Sequence, residues 1–149
     1  MALFFIKVKK MYTIPLKIAM QIYKFAPEEI YAYDFDGVIS IGITPRSKKD
    51  IIITGRCIDE QKHVKKILKE RGIKCKVYFN PMTLAERGDH TVEARTFSGN
   101  HKASTIARLK EEGINIVRFF EDDPIQLGLI KESHPELPVV HIVSKLVKK

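Results

Sequence analysis

Ile30-Tyr31-Ala32-Tyr33-Asp34-Phe35-Asp36-Gly37 is an apolar run that ends in two carboxylates one residue apart and then turns on a glycine. The run reads as a buried strand, and the glycine marks its stop. Two neighbouring anions repel, and each disfavours ionisation of the other. A hard divalent cation reverses that balance, since Mg²⁺ takes one or two carboxylates together with substrate oxygens. Such a strand end is costly to build without a cation.

Outward from this strand, the body alternates strands with helices. Asp50-Ile51-Ile52-Ile53-Thr54 is a second strand, continuously apolar as strands buried on both faces are. From Asp59 to Arg71 the residues Val64, Ile67 and Leu68 recur at helical spacing, and Gly72 closes the helix. Lys76 to Phe79 is a third strand, stopped by Asn80-Pro81, and Asn80 to His101 reads as a long loop. Lys102 to Glu112 is a helix closed by Gly113, with Ile106 and Leu109 facing inward. Asn115 to Phe120 is the fourth strand, Ile125 to Ser133 a helix and Val139 to Val143 the fifth strand. This order predicts a single α/β, Rossmann-like domain over residues 30–144, with about five parallel strands and helices on both faces. Residues 1–29 read as an N-terminal extension, with Phe4 to Lys10 a strand or loose arm and Ile14 to Phe25 a helix. Residues 145–149 are a basic C-terminal tail.

A chain of 149 residues suits one domain with a real core. No stretch approaches the ~18 apolar residues of a membrane span. Met1 to Ile6 is apolar but short, with its lysines after it, which does not fit a signal peptide. Cys57 and Cys75 are too few for a disulfide framework and point to a reducing, cytoplasmic setting. His63, His90, His134 and His141 lack the spacing of a zinc site. The net charge of +8 sits mostly at the ends. Residues 1–29 hold five lysines against two glutamates, and 145–149 add three lysines, which leaves +2 for the body. Basic ends either attract polyanions or keep a small protein soluble.

Three more polar islands follow the acidic pair: Thr54-Gly55-Arg56, Lys102 and Glu121-Asp122-Asp123. In an open parallel sheet, ligands bind beyond the carboxyl ends of the strands, which is where these islands fall. In this order the set resembles the haloacid dehalogenase-like (HAD) phosphohydrolase superfamily, over about residues 30–143. The resemblance implies Asp34 as nucleophile and Asp36 as general acid and base. It implies Thr54, with Gly55 and Arg56, as the phosphoryl-binding segment, and Lys102, at the start of its helix, as the cation beside the phosphate. The implied cofactor is Mg²⁺, held by Asp34, Asp36 through its carbonyl and Asp122, with Glu121 as support and Asp123 as second choice.

The chemistry fits those residue types. An ionised carboxylate is available as a nucleophile at neutral pH, and an aspartyl-phosphate splits a very slow hydrolysis into two easier steps. About sixteen residues separate Gly37 from Thr54, too few for the cap domain many family members carry, and even the customary helix between the first two strands is reduced or absent. A capless, open site suits a large substrate, and the arrangement resembles the small HAD domains of polynucleotide end repair. The loop with Arg87, Asp89, His90, Glu93 and Arg95 is the expected extra contact to substrate. The leading expectation is a Mg²⁺-dependent phosphatase of a nucleic-acid 3′ end or phosphoprotein. One alternative is a phosphatase of a small metabolite or nucleotide. Another is a non-catalytic module that binds nucleic acid through its basic termini.

Overall fold

The computed structural model describes residues 5–8, 12–15 and 27–143. Near the N-terminus, β1 (Phe5–Val8) and β2 (Tyr12–Pro15) form an antiparallel hairpin with Phe5 opposite Pro15 and Val8 opposite Tyr12. Ile14 and Pro15, expected in a helix, are therefore strand, while the rest of that expected helix and the tail 145–149 lie outside the described residues.

The body is a five-stranded parallel sheet in the order β5-β4-β3-β6-β7, as the alternation of strands and helices predicts. Its strands are β3 (Glu29–Tyr33), β4 (Ile51–Cys57), β5 (Lys76–Asn80), β6 (Asn115–Glu121) and β7 (Val139–His141). The helices are α1 (Gln61–Glu70), α2 (Leu84–Arg87), α3 (Val92–Glu111) and α4 (Pro124–Ser133). Side chains alternate across each strand, so a sheet covered on both sides needs apolar residues at every position. Tyr33 and Ile52 meet Val64 and Leu68 of α1 on one face. Ala32, Ile53 and Phe119 meet Ile106 and Leu109 of α3 and Ile130 of α4 on the other.

Three expectations need correction. First, Asn80–His101 is no loop: α2 lies within it, and α3 begins at Val92, ten residues before Lys102. Thr91 caps α3 by accepting the Ala94 N–H at 3.0 Å. The first half of α3 faces polar surroundings rather than the apolar core, and Ser98-Gly99-Asn100 interrupts its pattern, so no helical periodicity announces it. Gly99 serves helix packing, because a Cβ there would lie 2.7 Å from Leu129 Cδ1 and 3.1 Å from Gln126 Cα of α4. Second, β4 does not end at Thr54. Its regular pairing with β5 breaks after Ile53 and resumes at Cys57 opposite Asn80, so Thr54-Gly55-Arg56 bulges from the sheet. Third, β7 stops at His141, short of Val143. The missing helix between the first two strands of the body is as expected: Phe35–Ile39 makes one irregular turn, and Gly37 within it has φ +78°. No described helix is long and apolar enough to cross a membrane.

Asp50 holds the opposite end of the sheet together. Its side chain is 1 % exposed and accepts from the Tyr31 N–H at 3.0 Å, the Tyr33 hydroxyl at 3.1 Å and Arg46 Nη2 at 2.8 Å. Burial acts to raise the carboxyl's pKa, but Arg46 and the other donors outweigh it and hold it below the ordinary value. Asp50→Ala is expected to cost about 2–4 kcal/mol by urea denaturation, moderated because Arg46 is partly solvated. Because the folded pKa is depressed, this stabilisation is complete above the unfolded value near ~3.9 and is lost as pH falls through the folded one. The wild type should therefore approach the variant's stability in acid.

Candidate active site

The chain runs β3, β4, β5 outward in one direction, then crosses back through α3 to lay β6 on the other side of β3. The strand order thus reverses between β3 and β6, and their carboxyl ends open a crevice there. Asp34 follows β3, with its N–H bonded to the Phe120 carbonyl at 2.9 Å. Glu121 ends β6, and Asp122 follows it. One carboxylate oxygen from each of Asp34, Glu121 and Asp122 lies within 4.8 Å of the others, and all three residues are buried. Lys102, buried and in the middle of α3, donates to Asp34 Oδ1 at 2.8 Å and Glu121 Oε1 at 2.6 Å.

Three buried acids crowd around one lysine here. Burial raises the Asp34 pKa well above its ordinary value, the Glu121 charge adds to this, and Lys102 opposes it. Burial raises Glu121 as well, again against Lys102. Three clustered carboxylate oxygens are a hard donor set of the kind that fits a divalent cation such as Mg²⁺. Glu121 also accepts the Asp122 N–H on its Oε2 at 3.0 Å. Asp34, Glu121 and Asp122 are thus the residues that could hold a cation, and Glu121 is also an anchor of Lys102. Gly37 is required beside them, because a Cβ there would lie 2.2 Å from Asp122 Oδ2 and the positive φ strains any L side chain.

Arginines surround this acidic floor. The Thr54–Arg56 bulge sends Arg56 to Asp36, with Nε on Oδ2 at 2.8 Å and Nη2 on Oδ1 at 2.9 Å, while Nη1 reaches Glu60 at 2.7 Å. Arg87 is held by carbonyls, donating from Nη1 to Gly55 at 2.6 Å and from Nε to Gly88 at 3.0 Å. Arg95 pairs through two nitrogens with Asp123, which also caps α4 by accepting the Ile125 N–H and takes a bond from Gln126. Asp34, Asp36, Arg56, Arg87, Arg95 and Lys102 all line one open cavity of about 400 Å³.

The structure therefore brings Asp34, Asp36, Gly55, Arg56, Lys102 and Asp122 together, as expected from the order of the islands. Lys102 arrives from mid-helix and not from a helix start. Thr54 is fully buried and does not line the cavity, and its Oγ1 accepts the Arg56 N–H at 3.0 Å, so it shapes the bulge that presents its neighbours. The Asp36 carboxylate stands with Arg56, outside the three-acid cluster, and Asp123 is committed to Arg95 and the helix cap. Of the residues expected from the segment before Lys102, Arg87, Asp89, His90 and Arg95 line the cavity and Glu93 does not. Sequence reasoning missed Glu60, Ser98 and Gln126 as lining residues and underrated Glu121. Arg95, Ser98 and Lys102 are three and four residues apart, a spacing that marks one helix face once α3 is known to begin at Val92. Comparison with protein-family models, with curated proteins and with solved structures finds no match to this chain.

Proposed function

We propose that this chain is a Mg²⁺-dependent, HAD-like phosphatase that hydrolyses a phosphate monoester through an aspartyl-phosphate on Asp34. The observation that carries the reading is the Asp34, Glu121 and Asp122 cluster at the switch point, with Lys102 bonded into it. A bound Mg²⁺ would neutralise phosphate oxygens and align them for in-line attack.

Lys102 holds Asp34 Oδ1 and so fixes the carboxylate whose other oxygen would attack phosphorus. The new bond joins Asp34 to phosphorus as the ester P–O bond breaks. Asp36 gives the departing oxygen its proton and then takes one from the water that cleaves the acyl-phosphate. Asp36 is half-exposed and paired with Arg56, so the phosphoryl group must draw Arg56 away for this proton transfer to occur. Arg56 then serves substrate oxygens, which matches the bidentate habit of guanidinium with phosphate. The open mouth, with only the short segment around α2 beside it, suits a large substrate such as a nucleic-acid 3′ end or phosphoprotein. The cavity of about 400 Å³ favours a second reading, a small phosphorylated metabolite or nucleotide enclosed there.

The metal is testable directly. Turnover of nitrophenyl phosphate should vanish with chelator and return with Mg²⁺, with zinc a poorer activator. Loss of a ligand's outer partners alone weakens metal binding about 10–100-fold, so Asp122→Ala should raise the Mg²⁺ requirement at least that far. Asp123→Ala should change stability through the lost cap and leave the Mg²⁺ requirement closer to wild type. Greater metal sensitivity at Asp123 would move the ligand by one position.

A further inference from the structure

We propose that the exposed face of α1 is a docking surface for the backbone of a nucleic-acid strand whose phosphorylated end enters the cavity; the second half of this statement rests on the phosphatase reading. Lys62, Lys65, Lys66 and Lys69 are spaced i, i+3, i+4 and i+7, which places them on one stripe of the helix. All four are exposed, and the stripe lies opposite Val64 and Leu68, which are 0 % and 4 % exposed against the sheet. It therefore points straight outward.

Its charge is uncompensated. Among the described residues none of the four lysines joins an ion pair, whereas Lys49, Arg108 and Lys110 are paired with Glu28, Glu112 and Glu136. Lys65 has only the Phe79 ring, its Nζ 5.9 Å from the ring centre, which leaves its charge in place. Residues 61–76 hold seven cations against one acid, a net +6. The rest of residues 30–144 holds eleven cations against fifteen acids, a net −4. The body's modest +2 thus conceals a basic flank on a mildly acidic domain.

Position connects the flank to the cavity. Glu60, which lines the cavity and pairs with Arg56, directly precedes Gln61 at the start of α1. A strand with its end in the cavity would meet Lys62 first, at the head of a cationic row about 10 Å long. A regular row of phosphates matches four lysines on one stripe, where a phosphopeptide offers only scattered anions. An anionic bilayer fits less well, because membrane-surface helices bury an apolar face and the apolar face of α1 is already spent on the core.

Fluorescence anisotropy with a 3′-phosphorylated single-stranded oligonucleotide, in chelator to prevent turnover, tests the surface. The variant Lys62→Gln, Lys65→Gln, Lys66→Gln, Lys69→Gln should flatten the log–log salt slope by about 2.8, four contacts at roughly 0.7 each. Between about 50 and 200 mM salt that share amounts to about 50-fold in affinity. The two paired variants, Lys62→Gln with Lys66→Gln and Lys65→Gln with Lys69→Gln, should each remove half of it. Four lysine-to-arginine changes should preserve the wild-type slope. A folded quadruple variant with the wild-type slope would overturn the proposal. Stripe-dependent binding to phosphatidylserine vesicles, with the oligonucleotide slope unchanged, would overturn it in favour of a membrane. Hydrolysis of nitrophenyl phosphate by the wild type reads the phosphatase assignment separately: if it is absent that assignment fails, while the salt slope still decides the surface.

Discussion

Asp34→Asn is expected to lower turnover on the order of 10⁴–10⁶-fold, the range seen when a covalent nucleophile or its direct partners are removed. The direction of the stability change makes the result diagnostic. Asp34 is buried among negative charges, and burial already favours its neutral form. An asparagine keeps an oxygen for Lys102 and removes one of the three competing charges. The metal-free variant should therefore melt at or above the wild-type temperature while being inactive. Near-normal hydrolysis of nitrophenyl phosphate in Mg²⁺ would sink the mechanism, and inactivity accompanied by unfolding would not support it. Asp36→Asn should be slowed most on esters with poor leaving groups, since an activated phenol departs without help from an acid.

Lys102→Met should have the largest effect on the fold. It removes the cation bonded to the buried carboxylates of Asp34 and Glu121, and breaking a buried ion pair in this way costs about 3–5 kcal/mol. Burial acts against the Lys102 charge, yet the charges of Asp34 and Glu121 outweigh it and raise the lysine's pKa. The lysine itself therefore stays charged through neutral pH and is neutralised only in strong alkali. Asp34 and Glu121 are shifted up, so the folded state binds protons more tightly than the unfolded chain, and acid relieves their repulsion. The penalty of Lys102→Met, read from urea curves, should shrink as pH falls from neutral, in the sense set by those raised carboxyls. Mg²⁺ should restore part of the loss at neutral pH, because a divalent cation supplies the missing charge. A penalty indifferent to both protons and Mg²⁺ would show that Lys102 acts as packing alone.

The two carboxyl-terminal partners of the crevice differ in how they can be read. Asp34 and Asp122 are local events, polar residues that stop an apolar strand, and a strand end at a switch point is legible from periodicity. Lys102 is not such an event. It sits inside a helix whose first half has no apolar stripe, because that half lines the cavity and not the core. The same polarity makes residues 80–101 read as a loop.

By itself, then, the sequence determined the parallel sheet, the order of its elements and the acidic end of β3, because each depends on residues within a few positions of one another. Only the tertiary structure decided which charges neutralise which. The Lys102–Asp34 bond spans 68 residues and the Arg56–Asp36 pair spans 20, and neither partner signals the other along the chain. The same holds for the lysines of α1. Their number is fixed by composition, but whether a charge is paired, buried or left facing water depends on distances that exist only once the sheet has closed over its two cores.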